Sequence, residues 1–388
     1  MKRIEKWAIL ILALIGIGVL GCEEESDNIE LNYSAVEEQF NGSIDLNNLE
    51  NYAGQTVPTY ITKDNTGANQ ITNEGATLGR VLFYDKNLSI DGTVSCASCH
   101  QQQFAFSDTD LVSSGVNGTT GRHSMRLVNT RFAEEEQFFW DERAATLEEQ
   151  TTIPIRDHGE MGFSGLEGNP DFDSLISKLS NIDYYNELFE FVYGDEQITE
   201  ERIQNALGQF IRSIQSFDSK YDQGRSQVNN DNQAFPNFTD QENAGKQLFL
   251  DPPPQGGAGC GGCHRAPEFD IDPRSLNNGV IGVAGNESES DLENTRAPSL
   301  RDLFNSSGEL NGPLMHDGSF STLEEVVEHY NRIEVLAENT NLDQRLIGPG
   351  NGQQLNLTSD EVGAIIAFLK TLSGNDIYTD YKLSDPFK

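Results

Sequence analysis

Cys96-Ala97-Ser98-Cys99-His100 and Cys260-Gly261-Gly262-Cys263-His264 are two copies of one pattern, Cys-x-x-Cys-His, in a chain of 388 residues. The pattern is the attachment signature of a c-type haem. Its two thiols add across the porphyrin vinyl groups, and the adjacent histidine reaches the iron from the same face. One copy could arise by chance. Two copies, one in each half of the chain, predict two covalently held haems. Cys96, Cys99, Cys260 and Cys263 are then the attachment thiols, and His100 and His264 the iron ligands that follow from the motifs.

The chain has five cysteines, and the fifth, Cys22, has a different setting. A basic start (Lys2, Arg3, Lys6) leads through an apolar stretch, Trp7 to Leu20, into Leu20-Gly21-Cys22. This is the layout of a bacterial lipoprotein signal, with residues 1–21 removed and lipid carried on Cys22. The apolar stretch is short for a membrane span. Export agrees with the motifs, since c-type haem is attached outside the cytoplasm. The expected location is the periplasmic side of a Gram-negative membrane, with the lipid as the contact to it. With Cys22 lipidated, all other thiols lie in haem motifs. None is left to complete a four-ligand zinc site, and a thioredoxin-like dithiol has no use for two copies each followed by histidine.

The formal net charge is −36, and loss of the signal makes the chain more acidic still. Such a balance argues against nucleic acid as a partner. It can steer a basic electron carrier towards the protein, and it also keeps an exported protein soluble. Residues 22–54 open on Glu23-Glu24-Glu25-Ser26-Asp27 and continue Asn-rich, which reads as an acidic tether.

The remainder is an internal duplication. Gly79-Arg80-Val81-Leu82-Phe83-Tyr84-Asp85 precedes the first motif and Gly245-Lys246-Gln247-Leu248-Phe249-Leu250-Asp251 the second. Both match Gly-basic-x-Leu-Phe-x-Asp. Thr239 and Glu242 form a capping-box signal for the second of these helices, and Pro252-Pro253-Pro254 ends it. After the motifs, Thr146-Leu147-Glu148-Glu149 is answered by Thr322-Leu323-Glu324-Glu325, each six residues after Trp140 or His316. Ile198-Thr199-Glu200-Glu201 is answered in turn by Leu357-Thr358-Ser359-Asp360. Val362, Ile365, Ile366 and Leu369 make an apolar helical stripe, opened by a second capping box, Thr358 with Glu361. The expectation is a mainly α, loop-rich chain of two tandem cytochrome c-like domains, 55–222 and 238–388, each around one covalent haem. A polar linker, 224–232, lies between them.

These residues resemble a family, the bacterial diheme cytochrome c peroxidases, which includes the diheme enzyme that forms tryptophan tryptophylquinone. The resemblance spans nearly all of the mature chain. It rests on the two haem motifs, Phe138-Phe139-Trp140-Asp141-Glu142-Arg143-Ala144, Leu147-Glu148-Glu149-Gln150, Glu160-Met161-Gly162 and Met315-His316-Asp317-Gly318. It implies that His100 is the proximal ligand of the haem where peroxide binds. Gln150 and Glu160, ten residues apart like Trp140 and Gln150, match the distal glutamine and glutamate. Cleavage of the O–O bond wants such types: a carboxylate with a near-neutral pKa serves as base and then acid, while an amide positions the peroxide. Trp140 matches the residue that stands between the haems as an electron relay.

The second haem is where the sequence departs from most of the family. His264 matches its proximal ligand. The position that carries a distal methionine in the peroxidases is Tyr330 here, as in the tryptophylquinone-forming member. A phenolate favours oxidised iron; Met315 and His329 are the substitutes nearby. The resemblance also implies a calcium ion between the domains, on the carbonyls of Asn311 and Pro313. His123 stands where its usual side-chain ligand would be, with Asn129 as a substitute. His123 is also the nearest candidate for a loop histidine that caps the active haem.

The leading expectation is thus a peroxidase reducing hydrogen peroxide to water with electrons from a small periplasmic donor, a cytochrome c or a cupredoxin. The first alternative is a diheme oxidase that acts on a partner protein or other substrate through a high-valent haem pair. The second is a non-enzymatic diheme electron-transfer module, against which Glu160 and Gln150 argue, since a wire needs no distal acid.

Overall fold

A computed structural model describes residues 33–134, 137–286, 288–349 and 351–388. The signal segment and Cys22 lie outside these. The described chain forms one unit, Tyr33–Lys388, mostly of short helices joined by long loops. In the first half these are α1 (Ser34–Phe40), α2 (Asn73–Tyr84), α3 (Cys96–Cys99), α4 (Leu147–Arg156), α5 (Phe172–Leu179), α6 (Asp183–Tyr193) and α7 (Glu200–Ser213). The second half has α8 (Lys220–Arg225), α9 (Asp240–Leu250), α10 (Leu323–Asn331) and α11 (Ser359–Lys370). Among the described residues the strands form two antiparallel pairs, β1 (His264–Arg265) with β2 (Asp270–Ile271) and β3 (Ile347–Gly348) with β4 (Asn351–Gly352), besides isolated bridges.

The repeated sequence builds repeated packing. α2 lies on α7, and α9 on α11. Each crossing is made at the glycine of the repeat: a Cβ on Gly79 would run into the carbonyl of Ala206, and one on Gly245 into that of Ala364. The repeat's basic residue grips main-chain carbonyls. Arg80 donates to Ser384 O at 2.6 Å. Lys246 donates to Asp231 O at 2.6 Å, its ammonium 3.7 Å from the centre of the Phe235 ring. The Leu-Phe pair points inward, with Phe83 and Phe249 buried. Phe83 packs on Phe106 and Phe210, and Phe249 on Phe269 and Phe368.

Both predicted capping boxes form, and the threonines of the other repeated segments cap helices as well. Thr146 and Thr322 begin α4 and α10, Thr199 and Thr358 begin α7 and α11, and Thr239–Glu242 and Thr358–Glu361 close reciprocal boxes. α9 stops at Leu250, just before the prolines. Val362, Ile365, Ile366 and Leu369 are all buried.

Three segments differ from the sequence reading. Residues 33–54 are no tether: Val36, Phe40, Ile44 and Tyr52 enter the first core, and Glu187 accepts the N–H groups of Ala35 and Val36 at the start of α1. The polar 224–232 stretch is folded too. Gly224 and Arg225 belong to α8, and Asp231 accepts from Arg225 at 3.1 Å and from Tyr221. Finally, the carboxy-terminal residues return to the first half. Ile377 and Leu383 sit in its core, and Tyr52 and Tyr84 donate to the carbonyls of Lys382 and Leu383 at 2.6 and 2.7 Å.

If the glycine crossings fix each half, Gly79→Ala or Gly245→Ala must push backbones apart. Each change should cost about 1–3 kcal/mol or more, read from denaturant unfolding. A midpoint matching the parent would show that these helices do not depend on the close approach.

Candidate active site and haem centres

The first attachment motif is on α3, whose Ser95 N-cap and Ser98 form a reciprocal box. Helical spacing puts Cys96 and Cys99 on one face, and His100 leaves the helix at its C-cap. The His100 ring is oriented by its far nitrogen: Nδ1–H donates to Phe106 O at 3.2 Å. Ala105 and Phe106 both adopt left-handed backbone, φ 56° and 58°, to turn that carbonyl inward. A ring nitrogen held by a main-chain carbonyl is the arrangement typical of metal-bound histidine. Burial holds the imidazole below its ordinary pKa, which suits a neutral ligand.

A cavity of about 750 Å³ opens against this motif, lined among others by Cys96, Cys99, His100, Trp140, Gln150 and Glu160. α4 turns Leu147, Gln150, Thr151 and Pro154 towards it, an i, i+3, i+4, i+7 stripe. Glu160 follows in the loop after α4. Its N–H donates to Asp157 Oδ1 at 3.0 Å, and its carbonyl accepts from Val116 at 2.9 Å. Burial pushes its carboxyl pKa up to about 7; the Asp157 charge adds to the rise and Arg143 opposes it. Size, thiols, a ligand nitrogen and an apolar wall fit a haem here.

The second motif occupies a 3₁₀ turn, Cys260–Gly262, and runs into β1. His264 Nδ1 is buried with no hydrogen-bond partner, and burial lowers the imidazole to about 4, with Arg345 contributing. An orphaned, neutral imidazole beside two thiols fits the second haem. Tyr330, on α10, is buried within electrostatic range of Cys260 and Cys263; burial raises its pKa and the hydrogen bond with Asn278 opposes the rise. Its hydroxyl accepts from Asn278 Nδ2 at 3.2 Å, and the same amide lies 3.3 Å from Met315 Sδ. His329 is spent elsewhere, its Nε2–H donating to Asn278 O at 2.9 Å.

Trp140 joins the halves. Its indole N–H donates to His123 O at 2.8 Å, and its ring meets His316 edge-to-face at 6.1 Å. Its carbonyl accepts from Thr295 and Arg296 at 2.8 and 3.0 Å.

A family model for di-haem cytochrome c peroxidase matches residues 73–230. The methylamine utilization protein MauG of Methylophilus methylotrophus is 32% identical over 314 residues, covering 79% of this chain and 84% of that protein. The chain belongs to the di-haem cytochrome c peroxidase family. Cytochrome c551 peroxidase of Nitrosomonas europaea is 30% identical over 320 residues, 79% of this chain and 82% of the relative. A crystal structure of a MauG-like protein associated with microbial copper homeostasis matches with a TM-score of 0.67 at 28% identity, over 86% of this chain and 99% of that one. As a member of this family of oxidoreductases the protein takes two c-type haems.

The residues named for calcium have these surroundings. Asn129 has both amide atoms engaged by Ser216, Nδ2 donating to its carbonyl at 3.1 Å and Oδ1 accepting its N–H at 2.9 Å. The Asn311 side chain donates to Asp302 O and to Tyr378. The neighbours of Gly312, between Asn311 and Pro313, are Asp108 O and His123 Nε2. Among the described residues no group of three or more His, Cys, Asp or Glu is placed to hold a metal ion. His123 does not cap the cavity from a free loop; it is buried, with Nδ1 3.1 Å from Asp110 O and Nε2 3.4 Å from Ser107 Oγ.

One charged cluster joins two of the quoted motifs through Arg122 and Asp291, which the sequence alone does not bring together. Arg122 bridges Asp141 at 2.5 Å and Asp291 at 2.6 Å, and Asp291 approaches His316 Nε2 at 3.6 Å. It ties Asp141, next to Trp140, to Asp291 of the second half. Arg143, which opposes the rise at Glu160, lies 3.6 Å over the Phe139 ring and donates to Asp141 at 2.8 Å.

Proposed function

We propose that the protein reduces hydrogen peroxide to two waters, taking up two protons and two electrons supplied one at a time by a small periplasmic donor. The observation that carries this reading is a carboxyl group with a pKa near 7, Glu160, in the same cavity as His100 and Gln150. When bound, the haems supply the iron at which the O–O bond breaks and the capacity to hold oxidising equivalents between single electrons. The protein's own groups handle protons and geometry. Glu160 takes the proton from one peroxide oxygen and returns it to the other as that oxygen leaves. Gln150, with an amide donor and acceptor, orients the substrate beside it. Trp140 is the aromatic link between the halves, and its two main-chain hydrogen bonds fix it to the second. Export with lipid on Cys22 belongs to the same reading, since it puts the protein where c-type haems and their donors meet.

A second reading has one observation in its favour. Tyr330 stands beside Cys260 and Cys263, its hydroxyl held by Asn278. As the distal ligand it would favour oxidised iron and suit an oxidase drawing electrons from a partner protein. The resemblance to MauG supports this as well. Mixing peroxide with the fully oxidised holoprotein separates the two. Turnover only after partial reduction supports the peroxidase; a lasting spectral change at both haems without reductant supports the oxidase.

Glu160→Gln should lower kcat/KM for peroxide by about 10²–10⁴ with both haems retained. The charged form of Glu160 is the active base, and burial has raised its pKa, so that form is lost as pH falls through about 7. Below that point kcat/KM should drop by about tenfold per pH unit; a flat profile from neutral into acid, or full activity in the variant, would remove Glu160 from the mechanism. Tyr330→Phe should change the optical and EPR spectra of the second haem alone. An unchanged spectrum would exclude Tyr330 as its ligand.

A further inference from the structure

Asp85 closes the repeated Gly-basic-x-Leu-Phe-x-Asp segment of the first half, and its carboxylate is used in a way that its counterpart Asp251 is not. Asp85 is buried. Its Oδ1 accepts the Asn87 N–H at 2.7 Å, while Oδ2 accepts two phenols, Tyr184 at 2.7 Å and Tyr185 at 2.8 Å. The two rings lie 4.7 Å apart between centres. Asp251 is partly exposed, and its carboxylate takes the Gln247 amide at 3.2 Å. The second repeat thus places its haem motif without a tyrosine pair on the aspartate. The pair belongs to the half that holds the Glu160 cavity.

Tyr185 is fully buried in the first core, against which Cys96 packs, and it lies within electrostatic range of that thiol. Burial, with the Asp85 charge adding to it, holds both phenols well above their ordinary pKa, so each keeps its proton at rest. A phenol gives up an electron readily only when its proton leaves as well, since the cation that otherwise forms is a strong acid. The group that accepts from the hydroxyl therefore decides which tyrosine is readily oxidised. Tyr52, Tyr84 and Tyr193 donate to the main-chain carbonyls of Lys382, Leu383 and Arg202, which take no proton. Tyr185 donates to a carboxylate, which does. Tyr184 holds the same oxygen, so the acceptor is in place before any electron moves.

We infer that Tyr185, with Asp85 as its proton acceptor and Tyr184 as the second phenol on that oxygen, is a reserve electron donor to the first haem. The inference rests on the peroxidase reading, which supplies peroxide as the oxidant. When peroxide has oxidised the centre and no external donor is at hand, Tyr185 passes one electron inward. Its O–H bond breaks as the proton moves to Asp85 Oδ2. The centre is reduced by one electron, and a neutral tyrosyl radical remains. A later one-electron donor reduces the radical, and Asp85 returns the proton. The device draws an oxidising equivalent away from the porphyrin and its thioethers, and so limits a competing reaction at the site.

The test uses the full-length holoprotein with both haems, fully oxidised, mixed with peroxide without donor and frozen for EPR. A tyrosyl radical signal should form, and it should narrow in protein grown on ring-deuterated tyrosine. Tyr185→Phe, which keeps the ring, should lose that signal, whereas Tyr193→Phe should retain it. Repeated peroxide without donor should also bleach the haem absorbance of Tyr185→Phe faster than that of the parent. A second measurement needs no variant: in parent protein equilibrated with heavy water, deuterium ENDOR should find an exchangeable deuteron hydrogen-bonded to the radical oxygen. Haems that respond to peroxide with no tyrosyl signal would overturn the inference. So would a signal that survives in folded Tyr185→Phe, one that is lost in Tyr193→Phe, or a radical without that deuteron. Haems that do not respond to peroxide at all sink the peroxidase reading instead.

Discussion

In each half of the molecule two helices cross with one backbone pressed on the other, and the haem motif follows directly from the first of them. The contact is possible because Gly79 and Gly245 present no Cβ to Ala206 and Ala364. From α2 the chain runs through Asp85, which accepts from Tyr184 and Tyr185 at 2.7 and 2.8 Å, into α3. From α9 it runs through the proline turn into Cys260. Thiols and histidine thus sit at a set distance from a rigid pair, as a covalently attached group requires. A long loop alone would leave the attachment point free to wander.

Duplication then permits the halves to diverge in chemistry. The first keeps a cavity with a carboxyl and an amide, Glu160 and Gln150. In the second, a shared Asn278 amide links the Tyr330 phenol and the Met315 thioether. Between them Trp140 is held by its indole N–H on one side and its carbonyl on the other. Arg122 ties Asp141 to Asp291 across the same seam. Electron transfer depends on distance, and such a seam fixes the distance between the halves.

What could be read from the sequence was whatever depends on local pattern. Capping threonines, the prolines after α9, the stripe on α11 and both haem motifs carry their signals within a few residues. Glu160 and Gln150 could be named because the resemblance to the family assigns those positions, although their shared cavity depends on α4 and the loop after it. What composition concealed was decided by distant partners. Residues 33–54 are polar on average, yet four spaced apolar side chains are enough to bury them. The return of residues 375–388 to the first core depends on hydroxyls of Tyr52 and Tyr84, some 300 positions away in sequence.

The account stands on two porphyrins bonded through thioethers, one in each half. Mass spectrometry of peptides from protein made in a host that matures c-type cytochromes tests this directly. The expected result is one haem on the peptide containing Cys96 and Cys99 and one on that containing Cys260 and Cys263. Free thiols or a bound zinc ion at either motif, in protein that still consumes peroxide, would contradict it.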